Sequence, residues 1–230
     1  MNVVYYLTRN LYPYLKPAVM SLLEYNPKAK VYVMCEDDVF PYELPKNSKV
    51  INISDQEYIK HNSPNYRNWF SWITVTRVCT SKFLPRLNKV LNLDIDTIVN
   101  DDLSEMYNMD MKDNYFAMCD EVKGSYKPFG KNYFNAGVCL MNLKQIRKDK
   151  ADDAMIELLN TRKLNYIDQD AMNIIGKDKI IELPIRYNEN RGTGYTDHPA
   201  VVHYVAIREH WKPNVHRAEY YQKYKEFEGK

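Results

Sequence analysis

Two carboxylates, Asp94 and Asp96, stand one residue apart where the apolar run of residues 89–100 (Lys-Val-Leu-Asn-Leu-Asp-Ile-Asp-Thr-Ile-Val-Asn) abruptly turns acidic. At that spacing on a strand both side chains point to one face. Like charges held so close repel unless a cation lies between them. The pair suits a hard divalent ion such as Mn2+ or Mg2+, which takes carboxylate oxygens and completes its shell with substrate phosphates. Taken alone, an Asp-x-Asp is equally a solvated strand end, so its meaning depends on the segments around it.

Other polar residues interrupt apolar runs in the same way. Residues 133–143 read as a strand that carries Asn135 and opens at Ala136-Gly137, where a ligand can approach the backbone closely. Residues 167–173 (Ile-Asp-Gln-Asp-Ala-Met-Asn) put Asp168 and Gln169 at the start of a helix, where Asp168 is either a helix cap or a group aimed into a site. Residues 201–204 form a short strand ending in His203, and a lone histidine there is more often structural than a ligand. The stretch 69–84 carries one arginine, Arg77, among apolar residues at helical spacing (Phe70, Ile73, Val78, Phe83), and predicts a helix running into the acidic strand.

Bringing these groups together requires strands whose ends converge. Residues 3–7, 31–35 and 50–53 are short β-prone runs, and 17–25 is a helical pattern stopped by Asn26-Pro27. The first fifty residues thus alternate strand, helix, strand, strand, which predicts an open α/β architecture with a parallel sheet. The chain has 230 residues, 45% of them hydrophobic, enough for one α/β domain with a sizeable core.

Composition excludes several classes. Thirty-two basic against 30 acidic residues leave a net charge of +2, which offers no bulk attraction for nucleic acid. The four cysteines, Cys35, Cys79, Cys119 and Cys139, lie far apart without a C-x-x-C pair, and read as buried reduced thiols. A nucleotidyltransferase would share the sheet and the metal carboxylates, but it needs a glycine-rich triphosphate cradle, and no glycine precedes Gly124. Residues 3–7 lack the basic start and length of a signal peptide, and no run approaches the ~18 apolar residues of a membrane span. The expectation is a cytoplasmic protein. Peripheral membrane contact rests on the tail 216–230, where Arg217, Tyr220, Tyr221, Lys223, Tyr224, Lys225 and Phe227 mix in an expected helix diluted by Glu219, Glu226 and Glu228.

In order and approximate spacing over nearly the whole chain, these segments resemble glycosyltransferase family 8, the group of glycogenin and the bacterial lipopolysaccharide galactosyltransferases. The resemblance implies a single GT-A type domain over residues 1–230, a mixed, mostly parallel open sheet flanked by helices. Residues 1–100 would form a UDP-binding half ending in the Asp-x-Asp strand, 101–215 the donor-sugar and acceptor half, and 216–230 a tail. It also implies a UDP-sugar donor and a Mn2+ or Mg2+ ion held by Asp94, Asp96 and His203 within the Leu93-Asp94-Ile95-Asp96 motif. Leu7, Thr8, Asn10 and Tyr12 match the family's loop around uracil and ribose, and Arg77 its basic residue at the diphosphate and sugar. Asn135 and Ala136 match the donor-sugar strand, Asp168 and Gln169 the segment beside the anomeric carbon. Residues 183–188 match the Pro and Asn connection before the final strand.

The implied reaction is retaining transfer of a hexose, glucose or galactose, to a glycan, glycolipid or protein acceptor. A neutral amide such as Gln169 is a poor nucleophile, which favours attack from the face that UDP leaves, with a phosphate oxygen taking the acceptor proton. The alternatives are a catalytically inactive UDP-sugar-binding protein, or transfer to a protein or a modified nucleic-acid base. One departure stands out: where relatives carry glycine and Lys-Pro-Trp, this chain has Ala206 and Glu209-His210-Trp211. Glu209 reverses the charge beside a diphosphate, so Arg208 or Lys212 is expected to supply the positive charge, with Glu209 turned outward. The segment 123–131, with three lysines, two aromatics and two glycines, reads either as a solvated loop or as a lid meeting an anionic or aromatic acceptor.

Overall fold

The computed structural model describes residues 1–67, 71–121, 132–205 and 216–230. β1 (Asn2–Tyr6) is a β-branched and aromatic run buried after its first residue, as a strand covered on both faces must be. A 3-10 turn over Arg9–Tyr14 leads into α1 (Leu15–Tyr25), which stops at Asn26 because the following proline disfavours a further helical residue. β2 (Lys30–Cys35) and β3 (Ser48–Asn52) extend the sheet on one side, parallel to β1.

The single helix expected over 69–84 is instead broken. Residues 69 and 70 lie outside the described residues. The remainder forms α2 (Trp72–Val75), a 3-10 turn (Thr76–Cys79) and α3 (Thr80–Phe83). The hydroxyls of Thr76 and Thr80 each donate at 2.6 Å to the carbonyl three residues back, on Ile73 and Arg77, which competes with the α-helical ladder. The β-branched run Ile73-Thr74-Val75-Thr76 adds its own resistance to helix. Arg77 sits in the tighter middle turn.

β4 (Val90–Leu93) is followed by β5 (Thr97–Val99), α4 (Ser104–Asn108), β6 (Phe116–Asp120) and β7 (Phe134–Met141). Then come α5 (Leu143–Asp149), α6 (Ala151–Thr161), α7 (Ile167–Ile175), β8 (Ile180–Glu182), β9 (Val201–His203) and α8 (Ala218–Gln222). The main sheet has the order β3-β2-β1-β4-β7-β6-β8, and β5 pairs with β9 in a separate antiparallel ribbon. Within the main sheet β7 alone is reversed; it runs antiparallel to both β4 and β6. Alternation sorts the core: Val3, Tyr5 and Leu7 face α1, while Val4 and Tyr6 face the side covered by α5, α6 and α7.

Two features of this topology prepare a site. The chain leaves β1 for β2 on one side while β4 lies on the other, which opens a crevice outside the carboxyl ends of β1 and β4. Because β7 is reversed, its beginning lies beside the end of β4: Leu93 is opposite Val138, and Asp94 N–H donates to the Gly137 carbonyl at 2.8 Å.

The tail packs back onto the body. Tyr221 and Tyr224 are buried with Ile98, Lys223 pairs with Glu24, the Tyr224 hydroxyl donates to Glu24 at 2.8 Å, and Gly229 N–H donates to Pro13 at 2.9 Å. Only α8 and a 3-10 turn (Lys225–Phe227) form in place of the expected longer helix. Tyr220 and Phe227 pack half-buried against this cluster, and His216, Glu219, Gln222, Lys223, Lys225, Glu226, Gly229 and Lys230 are exposed. Among the described residues no helix is long and apolar enough to cross a membrane. All four cysteines are buried free thiols.

Candidate active site

The two aspartates do not lie along a strand as their sequence suggests. β4 ends at Leu93, and Thr97 folds the chain back by donating its N–H (3.2 Å) and its hydroxyl (2.7 Å) to the Asp94 carbonyl. Both carboxylates therefore sit on a tight turn between β4 and β5. β9 then sets His203 opposite Thr97. His203 Nε2 lies 3.3 Å from Asp96 Oδ1 and 3.7 Å from Asp94 Oδ2. One ligand atom from each of the three residues falls within 4.8 Å of the others. Two carboxylate oxygens and an imidazole nitrogen converging in this way fit a Mn2+ or Mg2+ ion with positions left for substrate oxygens.

The electrostatics point the same way. Burial pushes the Asp94 carboxyl above the usual range, with Asp96 adding to the effect and Arg77 and His203 opposing it. Burial pulls His203 down, but Asp96 and Asp94 outweigh it and the imidazole titrates above its ordinary value. The ring also needs room. A Cβ on Gly137 would stand 2.1 Å from His203 Cε1 and 2.6 Å from Nδ1, so only glycine admits the imidazole at that point of β7.

Arg77 ties the turn to α7. Its Nη1 pairs with Asp94, while Nε and Nη2 reach Asp168 Oδ2 at 2.7 and 2.6 Å. Asp168 is 1% exposed and makes no helix cap. The neighbouring acid does that work: Asp170 Oδ2 accepts from the N–H groups of Asn165 (2.9 Å) and Tyr166 (3.0 Å). Burial raises the Asp168 carboxyl to about 6 against the pull of Arg77. Ile167, at φ 34°, is held in a left-handed conformation that costs a β-branched residue on the order of 1–3 kcal/mol, immediately before this buried ion pair.

Gln169 is fixed at both ends. Its Oε1 accepts from Ala136 N–H at 3.0 Å, and its Nε2 donates to Glu121 Oε2 at 3.1 Å. Burial pushes the Glu121 carboxyl up. Nothing local in the sequence marks Glu121 beyond its place just past the end of β6. Asn135 Oδ1 accepts from Gly137 N–H at 3.0 Å and from Asn188 Nδ2 at 2.9 Å, and Asn188 Oδ1 lies 2.9 Å from His203 Nδ1. Asn188 was visible in sequence only as part of a connection, Asn190 not at all.

The first loop divides in two. Thr8 and Asn10 stand at the open end of β1, with the Thr8 hydroxyl donating to Asn10 at 2.6 Å. Leu7 and Tyr12 are in the core: the Tyr12 ring lies 4.6 Å from that of Phe40, and its hydroxyl donates to Asp37 at 2.9 Å. Tyr12 thus pins the loop to the end of β2 from beneath and does not offer a ring face. Leu93, Ile95 and Ala136 are buried too, so in this conformation their backbones are what can face a ligand. Arg208, Glu209 and Lys212, and the segment 123–131, lie outside the described residues.

With this geometry in place, the likeness to known proteins is specific. The sequence profile described as Glycosyl transferase family 8 matches residues 2–214. A putative glycosyltransferase of Haemophilus influenzae is 25% identical over 213 residues, 82% of this chain and 63% of that protein. A lipopolysaccharide 1,2-glucosyltransferase of Escherichia coli is 28% identical over 169 residues, 61% of this chain and 50% of that protein. The chain thus spans between half and two thirds of the length of these two relatives. The galactosyltransferase LgtC, crystallised with donor and acceptor sugar analogs, superposes with a TM-score of 0.78 at 22% identity over 100% of this chain and 97% of its own. GlyE of Streptococcus pneumoniae gives 0.72 at 21% identity over 97% of this chain and 59% of its own. At these identities the structural likeness establishes the fold, which is of the GT-A type.

Proposed function

We propose, from the premise that this chain belongs to glycosyltransferase family 8, that it transfers a hexose, glucose or galactose, from a UDP-sugar to a glycan, glycolipid or protein acceptor with retention at the anomeric carbon. The observation that carries this reading is the convergence of Asp94, Asp96 and His203 at the crevice outside β1 and β4, joined through Arg77 to Asp168. The two halves, 1–100 and 101–215, act as one unit. The first contributes the β1 loop and the acidic turn, the second Asn135, Asp168, Gln169 and His203.

Thr8 and Asn10 meet the uridine at the end of β1, over a floor shaped by Leu7 and Tyr12, while Leu93, Ile95 and Ala136 contribute backbone groups. Asp94, Asp96 and His203 would hold a Mn2+ or Mg2+ ion, which would supply Lewis-acid stabilisation of negative charge on the diphosphate. Arg77 brings positive potential to the same region and holds Asp168 in place, and Asp168 and Asn135 orient the sugar hydroxyls. Gln169 has its carbonyl oxygen engaged by Ala136 N–H, which supports a positioning role over a nucleophilic one. The acceptor oxygen forms its bond to the anomeric carbon from the face on which the bond to the phosphate oxygen breaks. The acceptor proton passes to that phosphate oxygen. Arg208 or Lys212 provides the cation that Glu209 lacks.

The Glu209 departure alone favours a second reading, a UDP-sugar-binding protein without turnover. Release of UDP from a panel of UDP-sugars, in Mn2+ and in EDTA, with the wild type and Asp96→Ala, separates the two. Mn2+-dependent release from one donor, lost in Asp96→Ala, is the expected result; binding without release under all conditions would leave the second reading or an obligatory acceptor missing from the assay.

A further inference from the structure

Three buried amides link the backbone to His203, and their orientations can be deduced from groups that only donate. The Gly137 N–H meets the Asn135 side chain at 3.0 Å, so the atom it meets is Oδ1. That oxygen lies 2.9 Å from the Asn188 amide, and since two acceptors cannot bond, Asn188 turns its NH2 group toward Asn135. The other end of the Asn188 amide, its oxygen, therefore faces His203 Nδ1 at 2.9 Å.

A second path reaches the same answer from the opposite side. The N–H groups of Gly192 (2.7 Å) and Thr193 (3.0 Å) both meet one atom of Asn190, which must be Oδ1. Asn190 then presents its NH2 group to Asn188 Oδ1 at 3.1 Å. Asn135, Asn188 and Asn190 are 6%, 0% and 4% exposed, so solvent does not compete for these bonds.

An amide oxygen already fixed as an acceptor requires a hydrogen on Nδ1. A neutral imidazole has one N–H, which leaves the lone pair on Nε2, the nitrogen turned toward Asp96 and Asp94. We infer that Asn188 is a positioning residue that sets the His203 tautomer and thereby makes Nε2 the ligating nitrogen. The inference rests on the reading of Asp94, Asp96 and His203 as a cation site, where a partner on the far ring nitrogen orients the ligand and raises its basicity.

The test uses 15N-histidine-labelled protein kept metal-free with EDTA, at a pH where His203 is neutral, with the His203 signals identified by their loss in His203→Gln. Long-range proton–nitrogen correlation should place the proton on Nδ1 in the wild type and in Asn188→Asp, which retains an oxygen acceptor. In Asn188→Leu the proton should move to Nε2, and Mn2+ affinity measured by calorimetry should fall about 10- to 100-fold. A wild-type proton on Nε2, or an Asn188→Leu protein that binds Mn2+ as tightly as the wild type, overturns the inference. Should Asn188→Leu not fold, the wild-type spectrum decides alone. A wild type with Nδ1–H that binds no Mn2+ would sink the cation-site reading and leave the tautomer assignment standing.

Discussion

The imidazole of His203 occupies the volume that a Cβ on Gly137 would fill, with Cε1 only 2.1 Å from that position. The glycine near the start of β7 and the third candidate metal ligand are therefore mutually dependent. Gly137→Ala must expel the ring or push β7 away from β4, at a cost of about 1–3 kcal/mol. The expected outcome is a melting temperature lowered by roughly 2–4 °C per kcal/mol and a clear loss of Mn2+ affinity in titration calorimetry. Unchanged Mn2+ binding in this variant would mean that His203 is not a ligand.

Proton and metal compete for the same groups, and the sign of the competition follows from the raised values. Asp96 and Asp94 hold the His203 imidazole above its ordinary value of 6.5 in the folded protein, against the opposing pull of burial. That contributes stability fully present below 6.5 and lost as pH rises through the folded value. The raised carboxyls act with the same sign: their contribution is full below 3.8 and is lost as pH climbs through the folded values, about 6 for Asp168. Between pH 3.8 and about 6 the metal-free protein therefore loses the contribution of Asp168, and above 6.5 that of His203, an interval over which Mn2+ meets less and less competition from protons. Melting curves in EDTA and in Mn2+ across that interval should show a Mn2+ stabilisation that grows with pH. A stabilisation that shrinks would contradict the assignment.

Arg77 and Asp168 form a buried ion pair, their side chains 6% and 2% exposed. Removing one partner strands the other's charge. Arg77→Leu should cost about 3–5 kcal/mol, and the double variant Arg77→Leu/Asp168→Leu should recover part of it. Chemical denaturation of the wild type, Arg77→Leu, Asp168→Leu and the double variant measures this directly; a double variant as unstable as the sum of the two singles would show that the residues are not coupled.

Glu121 holds the Gln169 amide 3.1 Å away, with the other end of that amide on Ala136. Glu121→Leu leaves the backbone bond and removes the second anchor. The expected effect is a fall in kcat of about tenfold with little change in the donor KM, since positioning rather than binding is lost. Steady-state kinetics with the preferred UDP-sugar provide the check, and a changed KM at constant kcat would move Glu121 to a binding role.

The Asp-x-Asp, Arg77, Asn135, Asp168 and His203 were legible in the chain because each is a polar residue set in an otherwise apolar run, and their order matched a known family. What joins them was not. Asn135 and Asn188 are 53 residues apart, and an asparagine after a 3-10 turn looks like any other turn residue until a partner appears across the fold. Asp168 and Asp170 occupy the same first helical turn, and only burial against Arg77 separates the site residue from the one that serves the helix N-terminus. The broken helix over 72–83 was hidden for a different reason: apolar spacing reports which face is buried, and threonine hydroxyls that take backbone carbonyls leave that spacing intact. Tyr12 illustrates the converse, an aromatic residue in a candidate donor-binding loop whose ring packs into the core beside Phe40.

The β5–β9 ribbon also sets a schedule for biosynthesis. Asp94 and Asp96 emerge from the ribosome more than a hundred residues before His203, and β9, which carries the histidine, is the last strand of the described fold. Until β9 docks, the notch over Gly137 stands open and the two aspartates face each other across an incomplete set of donors. A nascent chain can build the central sheet early, but the three candidate ligands meet only once β9 has been made and has docked on β5. If these three residues hold an ion, they do so only after the β5–β9 ribbon has closed.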